Sequence, residues 1–420
     1  MRTQDRRVVI TGMGVVAPGS PGRKAFWQRL VDGRPAFRAI SFFDPGAFRS
    51  RVAAECDFDP AREGLTAREI RRLDRAAQLL LVAGDEAVAD SGVDIGSSAE
   101  RAGVSIGTAV GCTMRLEDEY VVLSDHGRYW ETDPGYVVPH QYDYFVPSSL
   151  AAEVAVRFGT LGPATVVSAG CTSGIDAVGY AWQLIAEGSA DIMLAGGTDA
   201  PISPITVACF DAIKATSPRN DDPVTAMRPF DRHRSGFVLG EGAAVLVLEE
   251  YGAARRRGAH IYAEIAGYGA RCNAYHMTGL RADGAELAAA MEAALTAARV
   301  APDKVDYLNA HGTATQQNDR HETAAIKSAL GSHAYSVPIS SIKSMVGHSL
   351  GAIGAIEIAA SALAIEHGTI PPTANLTAPD PELDLDYVPR TAREAQLRTV
   401  LTVGSGFGGF QSAMVLRGQP

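Results

Sequence analysis

A chain of 420 residues, 46% hydrophobic and 20% charged, can bury sizeable cores and lies far from disordered or collagen-like compositions. Its formal net charge of −10 disfavours nucleic acid as a partner, because phosphate binding needs a basic surface. No apolar run is expected to supply the roughly 20 residues of a membrane span.

The N-terminal "MRTQDRR" lacks the apolar core of a secretory signal and passes straight into an apolar, β-branched run over 6–16. That predicts a first strand and a cytoplasmic chain. Helical periodicity then covers 68–90, and "TAREIRRLDRAAQLLL" (66–81) sets Arg68, Arg71, Arg72 and Arg75 at i, i+3, i+4 and i+7. On one continuous helix these form a basic stripe opposite Ile70, Leu73, Ala77 and Leu80. Such a stripe is either a solvated face or a local patch for an acidic partner. Runs at 102–110 and 190–197 predict further strands, and amphipathic segments at 172–187 and 285–299 predict helices. Strands alternating with helices of this length indicate an α/β fold. The stretch "YGAARRRGAHIYAEI" (251–265) predicts a short helix leading into a strand and is the best candidate for a junction.

Three Gly-rich turns carry the chemistry. In "GCTSG" (170–174), Cys171 sits where a helix begins, so the unpaired N–H groups and the helix dipole should favour its thiolate. The alternative is a small buried hydrophobe, the usual fate of a free cysteine. Cys56, Cys112, Cys209 and Cys272 lack that context; the five are scattered without a CxxC pair, so neither disulfides nor a metal site is expected. "AHGT" and "GHSLG" place His311 and His348 in Gly-rich turns, either as packed core residues or as two donors aimed at one developing oxyanion. Lys343, five residues before His348 and among apolar neighbours, needs a carboxylate, with Glu322 and Glu357 as candidates. "GSGFGGF" (404–410) offers a backbone N–H that could join that of Cys171 in an oxyanion hole.

A long-period duplication links these turns. "GCTSG" and "GHSLG" each open a helix rich in Ala and Ile; 236–249 is echoed by 404–417, and 8–20 more loosely by 263–275. Their common order predicts two halves, 1–255 and 256–420, related by a pseudo-twofold axis. The helix starts carrying Cys171 and His348 would face each other across it.

"GCTSG", "HGTATQQND", "KSMVGHSLGAIGAIE" and "GSGFGGF", in that order across nearly the whole chain, resemble the β-ketoacyl synthases of the thiolase superfamily. "CNAYHMTGL", "QNDRHETAAIKSAL" and "PPTANL" are most similar to the ketosynthase α subunit of bacterial type II aromatic polyketide synthases. The resemblance implies a five-layered αβαβα fold of two related halves. It implies that Cys171 takes an acyl chain as a thioester, and that His311 and His348 assist decarboxylation of malonyl-acyl carrier protein and stabilise the enolate. Lys343 would organise the site electrostatically, with Glu322 or Glu357 nearby. Phe407 would supply the second oxyanion donor and act as a gate. Thr313, Thr315 and Thr278 would hold the carrier's 4'-phosphopantetheine arm, with no cofactor of the chain's own. Val110, Cys112, Met114 and Phe210 would line the acyl pocket, and Arg68, Arg71 and Arg72 would dock the carrier protein. The implied partner is a homologous chain-length factor in a heterodimer. The alternatives are a homodimeric fatty-acid elongating synthase, a degradative thiolase, for which a second cysteine near "GSGFGGF" is missing, and a non-catalytic scaffold subunit, for which Cys171 should be missing.

Overall fold

The computed structural model describes residues 6–129 and 133–418. Five strands on the main path of the sheet come from the first half: β1 Val8–Ala17, β2 Ala102–Gly107, β3 Ala164–Val167, β4 Ile192–Asp199 and β5 Gly242–Glu250. The second half adds β6 Ala263–Cys272, β7 Tyr307–Asn309, β8 Ile339–Ser340, β9 Thr399–Gly406 and β10 Phe410–Arg417. They join in one hydrogen-bonded path, β8-β7-β9-β10-β6-β1-β5-β4-β2-β3. From the centre outward, each side runs through its own first, fifth, fourth, second and third strand. The two sides meet where β1 pairs antiparallel with β6, Val8 opposite Ile265 and Ile10 opposite Ala263. Both echoed strand pairs fall on equivalent places, β1 with β6 and β5 with β10.

The helices that position the site are α1 Ala67–Arg72, α2 Arg75–Ser91, α3 Ser149–Phe158, α4 Ser173–Ala186, α5 Ala285–Ala298, α6 Gln316–Leu330 and α7 Ile353–His367. Helix α2 packs on β1 and β5 and α5 packs on β6 and β10, while α4 and α7 pack on each other between the two halves of the sheet. The layers are therefore helix, sheet, helix pair, sheet, helix. Strand alternation shows the same arrangement. On β5, Ala244, Leu246 and Leu248 face the central core with Ile175 and Ile356, whereas Ala243, Val245 and Val247 face the outer core with Leu79 and Leu80. On β10, Met414 and Leu416 point to the centre, and Ala413 and Val415 to a third core around Leu287 and Met291. Each of these fully buried large side chains contributes about 1.5–3 kcal/mol against its exposed state.

Two expectations need correction. Residues 66–90 are not one helix: Thr66 and Glu69 form a capping box for α1, the backbone turns extended at Leu73, and the Asp74 side chain accepts from the Ala76 N–H to start α2. The four-arginine stripe is broken there. An apolar run also does reach spanning length: Leu350–His367 covers 18 residues at mean hydropathy 1.4, but 83% of it is buried inside the fold. As half of the central helix pair it has no exposed face to make polar.

Candidate active site

The turn that carries Cys171 ends the loop after β3 and leads into α4. Cys171 precedes the Thr172 N-cap, and this buried residue lines a cavity of about 360 Å³. The backbone N–H groups of Phe407 and of Cys171 itself favour the thiolate form of its sulfur. Two glycines permit the approach. Gly170 holds φ +58, and a Cβ there would meet the Phe407 carbonyl oxygen at 3.1 Å; a Cβ on Gly406 would meet the Cys171 nitrogen at 3.2 Å. Behind the turn, the Asp176 carboxylate accepts from the hydroxyls of Thr172 (2.7 Å), Tyr268 on β6 (2.8 Å) and Ser412 on β10 (2.5 Å). Both halves of the chain thus fix the start of α4.

His348 approaches from the second half. Its N–H donates to the Val238 carbonyl at 2.8 Å, its carbonyl accepts from Gly240, and its Nε2 lies 3.1 Å from Cys171 Sγ. His311 follows β7, with its ring perpendicular to that of His348 at 5.4 Å between centroids. The Glu322 carboxylate on α6 accepts from the backbone N–H groups of His311 (2.6 Å) and Gly312 (2.8 Å), fixing that loop. Lys343 is fully buried and donates to Glu357 on α7 at 2.5 Å. Glu357 is therefore the direct partner of the lysine, and Glu322 holds the His311 loop.

The electrostatics correct one expectation. The thiol of Cys171 is pushed up to about 11, because burial outweighs the Lys343 ammonium and the two N–H groups that favour its thiolate. The helix start alone does not make a resting thiolate. Burial, reinforced by Lys343, also holds both His311 and His348 well below the ordinary histidine value, so both imidazoles are neutral. The carboxyls of Glu322 and Glu357 are each pushed up to about 7 by burial, which the Lys343 ammonium opposes. A neutral thiol beside a neutral imidazole is arranged for proton transfer at the moment of attack.

The same cavity is lined by Thr278, Thr313, Thr315, Phe210 and Phe407, so the three threonines and both phenylalanines share one space with Cys171, His311 and His348. Thr313 and Thr315 hydroxyls lie 3.0 Å apart, and the Phe407 ring stacks on Phe210 at 6.3 Å. Val110, Cys112 and Met114 do not line it. Val110 is exposed beside a backbone N–H bonded to Asp199; Cys112 and Met114 pack in the outer core around α2. Of the basic stripe, Arg68 and Arg71 are exposed, whereas Arg72 grips Glu153 on α3 at 2.6 Å and Asp143 at 3.2 Å, and Arg75 forks onto buried Glu241 at 2.7 Å. Those two belong to the framework.

Sequence reasoning missed Asp176 and Asp199. The Asp199 carboxylate accepts from the N–H groups of Ala109 and Gly351 and from the Thr108 hydroxyl, tying the loop after β2 to the turn before α7. Burial pushes its carboxyl up to about 6. The one sequence signal for Asp199 was an acid ending an apolar strand, in "AGGTDA".

Comparison with known proteins decides the family. The model of the β-ketoacyl synthase N-terminal domain matches residues 5–254, and that of its C-terminal domain matches 262–377. The chain belongs to the β-ketoacyl synthase family. Among relatives of this synthase, one from Streptomyces rimosus, named for the oxytetracycline polyketide as β-ketoacyl synthase 1, is 67% identical over 98% of this chain and 97% of its own. The tetracenomycin polyketide synthase ketoacyl synthase alpha subunit of Streptomyces glaucescens is 62% identical over 99% and 98%. Among solved structures, the synthase resembles a type II polyketide synthase acyl carrier protein in complex with its ketosynthase bound to the hexaketide. The TM-score is 0.93 at 38% identity, covering 99% of this chain and 100% of that one. The ishigamide ketosynthase/chain length factor matches at TM-score 0.89 and 34% identity, again over 99% and 100%.

Proposed function

We propose that this ketosynthase catalyses iterative decarboxylative Claisen condensation of malonyl units from an acyl carrier protein, in type II polyketide assembly. The observation that carries the chemistry is the 3.1 Å contact between His348 Nε2 and Cys171 Sγ. In acylation, the Cys171 sulfur attacks the carrier thioester carbonyl while His348 Nε2 takes the thiol proton. The N–H groups of Cys171 and Phe407 hold the tetrahedral oxyanion, which collapses as the carrier sulfur leaves with a proton. In condensation, a malonyl thioester loses CO₂, and its enolate oxygen accepts hydrogen bonds from His311 and His348. The enolate carbon attacks the Cys171 thioester; the C–C bond forms, the C–S bond breaks, and the sulfur is reprotonated. Neutral imidazoles suit this, since each must present an N–H without a competing charge.

On this reading, 1–255 supplies the nucleophile and 256–420 supplies His311, Lys343 and His348. Thr313 and Thr315 hold the 4'-phosphopantetheine arm, with Thr278 at the cavity wall; Phe407 gates the cavity against Phe210; Arg68 and Arg71 meet the acidic carrier. The partner is a homologous chain-length factor, and a complete acyl tunnel needs it, since of the four proposed lining residues only Phe210 reaches this cavity. The cytoplasm is the proposed compartment, supported by the five unpaired cysteines. The relatives named for polyketides favour this reading over a fatty-acid elongating homodimer. The chain with and without a chain-length factor subunit, given malonyl-carrier protein, tests it. Poly-β-keto products should form only with the partner. Single elongation of saturated acyl-carrier substrates by the chain alone would establish the fatty-acid reading instead.

A further inference from the structure

Cys171 Sγ and one ring nitrogen each from His311 and His348 lie within 4.8 Å of one another, all three residues buried. From this geometry we propose that the same three side chains form a binding site for one thiophilic divalent cation, such as Zn²⁺, which enters through the cavity and reversibly occupies the nucleophile. Two histidines and a cysteine are a donor set that tetrahedral zinc favours, with the fourth position left to water. Ligand atoms around tetrahedral zinc stand about 3.5 Å apart, given bonds of about 2.0–2.3 Å. Cys171 Sγ and His348 Nε2 are already at 3.1 Å, so only small side-chain shifts complete the triangle. Among the described residues, neither His311 Nδ1 nor His348 Nδ1 has a hydrogen-bond partner, so a small shift of either ring breaks no bond at its Nδ1. The Lys343 ammonium opposes the cation. The thiolate created on binding offsets part of that repulsion, as the thiol proton leaves to water, one S–metal and two N–metal bonds form, and all but one of the cation's own waters are released. In the sequence, 140 and 177 residues separate Cys171 from the two histidines, so no ligand spacing announces the site.

Cadmium titration followed by its thiolate charge-transfer absorption tests this directly, in a Cys209→Ser, Cys272→Ser background that removes the exposed thiols. One saturable equivalent is expected. It should vanish in Cys171→Ala and weaken at least tenfold in His311→Ala, with both variants checked for an unchanged thermal melt. Zn²⁺ should compete, block alkylation of Cys171, and be reversed by a chelator. Absence of a saturable signal, its persistence in Cys171→Ala, or an affinity indifferent to His311→Ala would overturn the inference. Binding is read without substrate, so its failure is distinguishable from failure of the condensation reading.

Discussion

The reactivity of Cys171 is set by a contest between burial and three effects that favour its thiolate: Lys343, the N–H groups and the helix start. With the thiol pushed up to about 11 and His348 held well below its ordinary value, the resting pair is neutral rather than thiolate–imidazolium. The rate of alkylation of Cys171 by iodoacetamide should therefore keep rising with pH from 7 through 9, because deprotonation is incomplete until the thiol titrates. A plateau below pH 7, the signature of a preformed ion pair, would contradict this account. His348→Ala should lower the rate at pH 7 by removing the proton acceptor 3.1 Å away. The identities of Cys171, His311, His348 and Lys343 were legible because each interrupts an apolar run with a reactive type. The thiol's protonation was not, because it depends on burial that only the assembled fold creates.

At the scale of elements, loops from different parts of the chain close on the sulfur through glycines. A methyl group on Gly406 would press on the Cys171 nitrogen at 3.2 Å and the Ala169 carbonyl oxygen at 3.1 Å. Gly406→Ala should slow acylation of Cys171 several-fold while the melting temperature moves little, since the turn must give by a few tenths of an ångström to admit the methyl group. An unchanged acylation rate would show that the turn tolerates the shift. Helix α1 and the start of α2 separate framework from surface among the arginines. Arg71→Glu should raise the KM for carrier-protein substrates and leave acylation by a small thioester unchanged. Arg72→Ala should instead destabilise the fold by about 1 kcal/mol, because it strips partly buried hydrogen bonds from Glu153. Equal loss with both thioesters for Arg71→Glu would remove the docking role. The sequence pattern could not separate these residues, because the break at Leu73 is made by two caps, Thr66 and Asp74, inside a stretch whose periodicity continues through them.

The whole molecule is one strand plan used twice, and the site lies where the two copies meet. The duplication was readable in "GCTSG" and "GHSLG" because each opens a helix of the central pair, and such largely buried helices carry a long apolar signature. The clamps were not readable. Asp176 reaches Tyr268 and Ser412, and Asp199 reaches Gly351, across more than 90 residues in three of these contacts, and a buried acid's distant partner leaves no local mark in sequence. Of the acyl-pocket residues, Phe210 lines the cavity of this chain, whereas Cys112 and Met114 pack in the outer core, a placement that local sequence does not mark. The central claim, that the joined halves make Cys171 an acyl-carrying nucleophile, is tested most directly by intact-protein and peptide mass spectrometry after incubation with malonyl-carrier protein and the partner subunit. An acyl adduct on Cys171 that is absent in Cys171→Ala is the expected result. A folded, carrier-bound protein with no adduct, or with one on another residue, would contradict it.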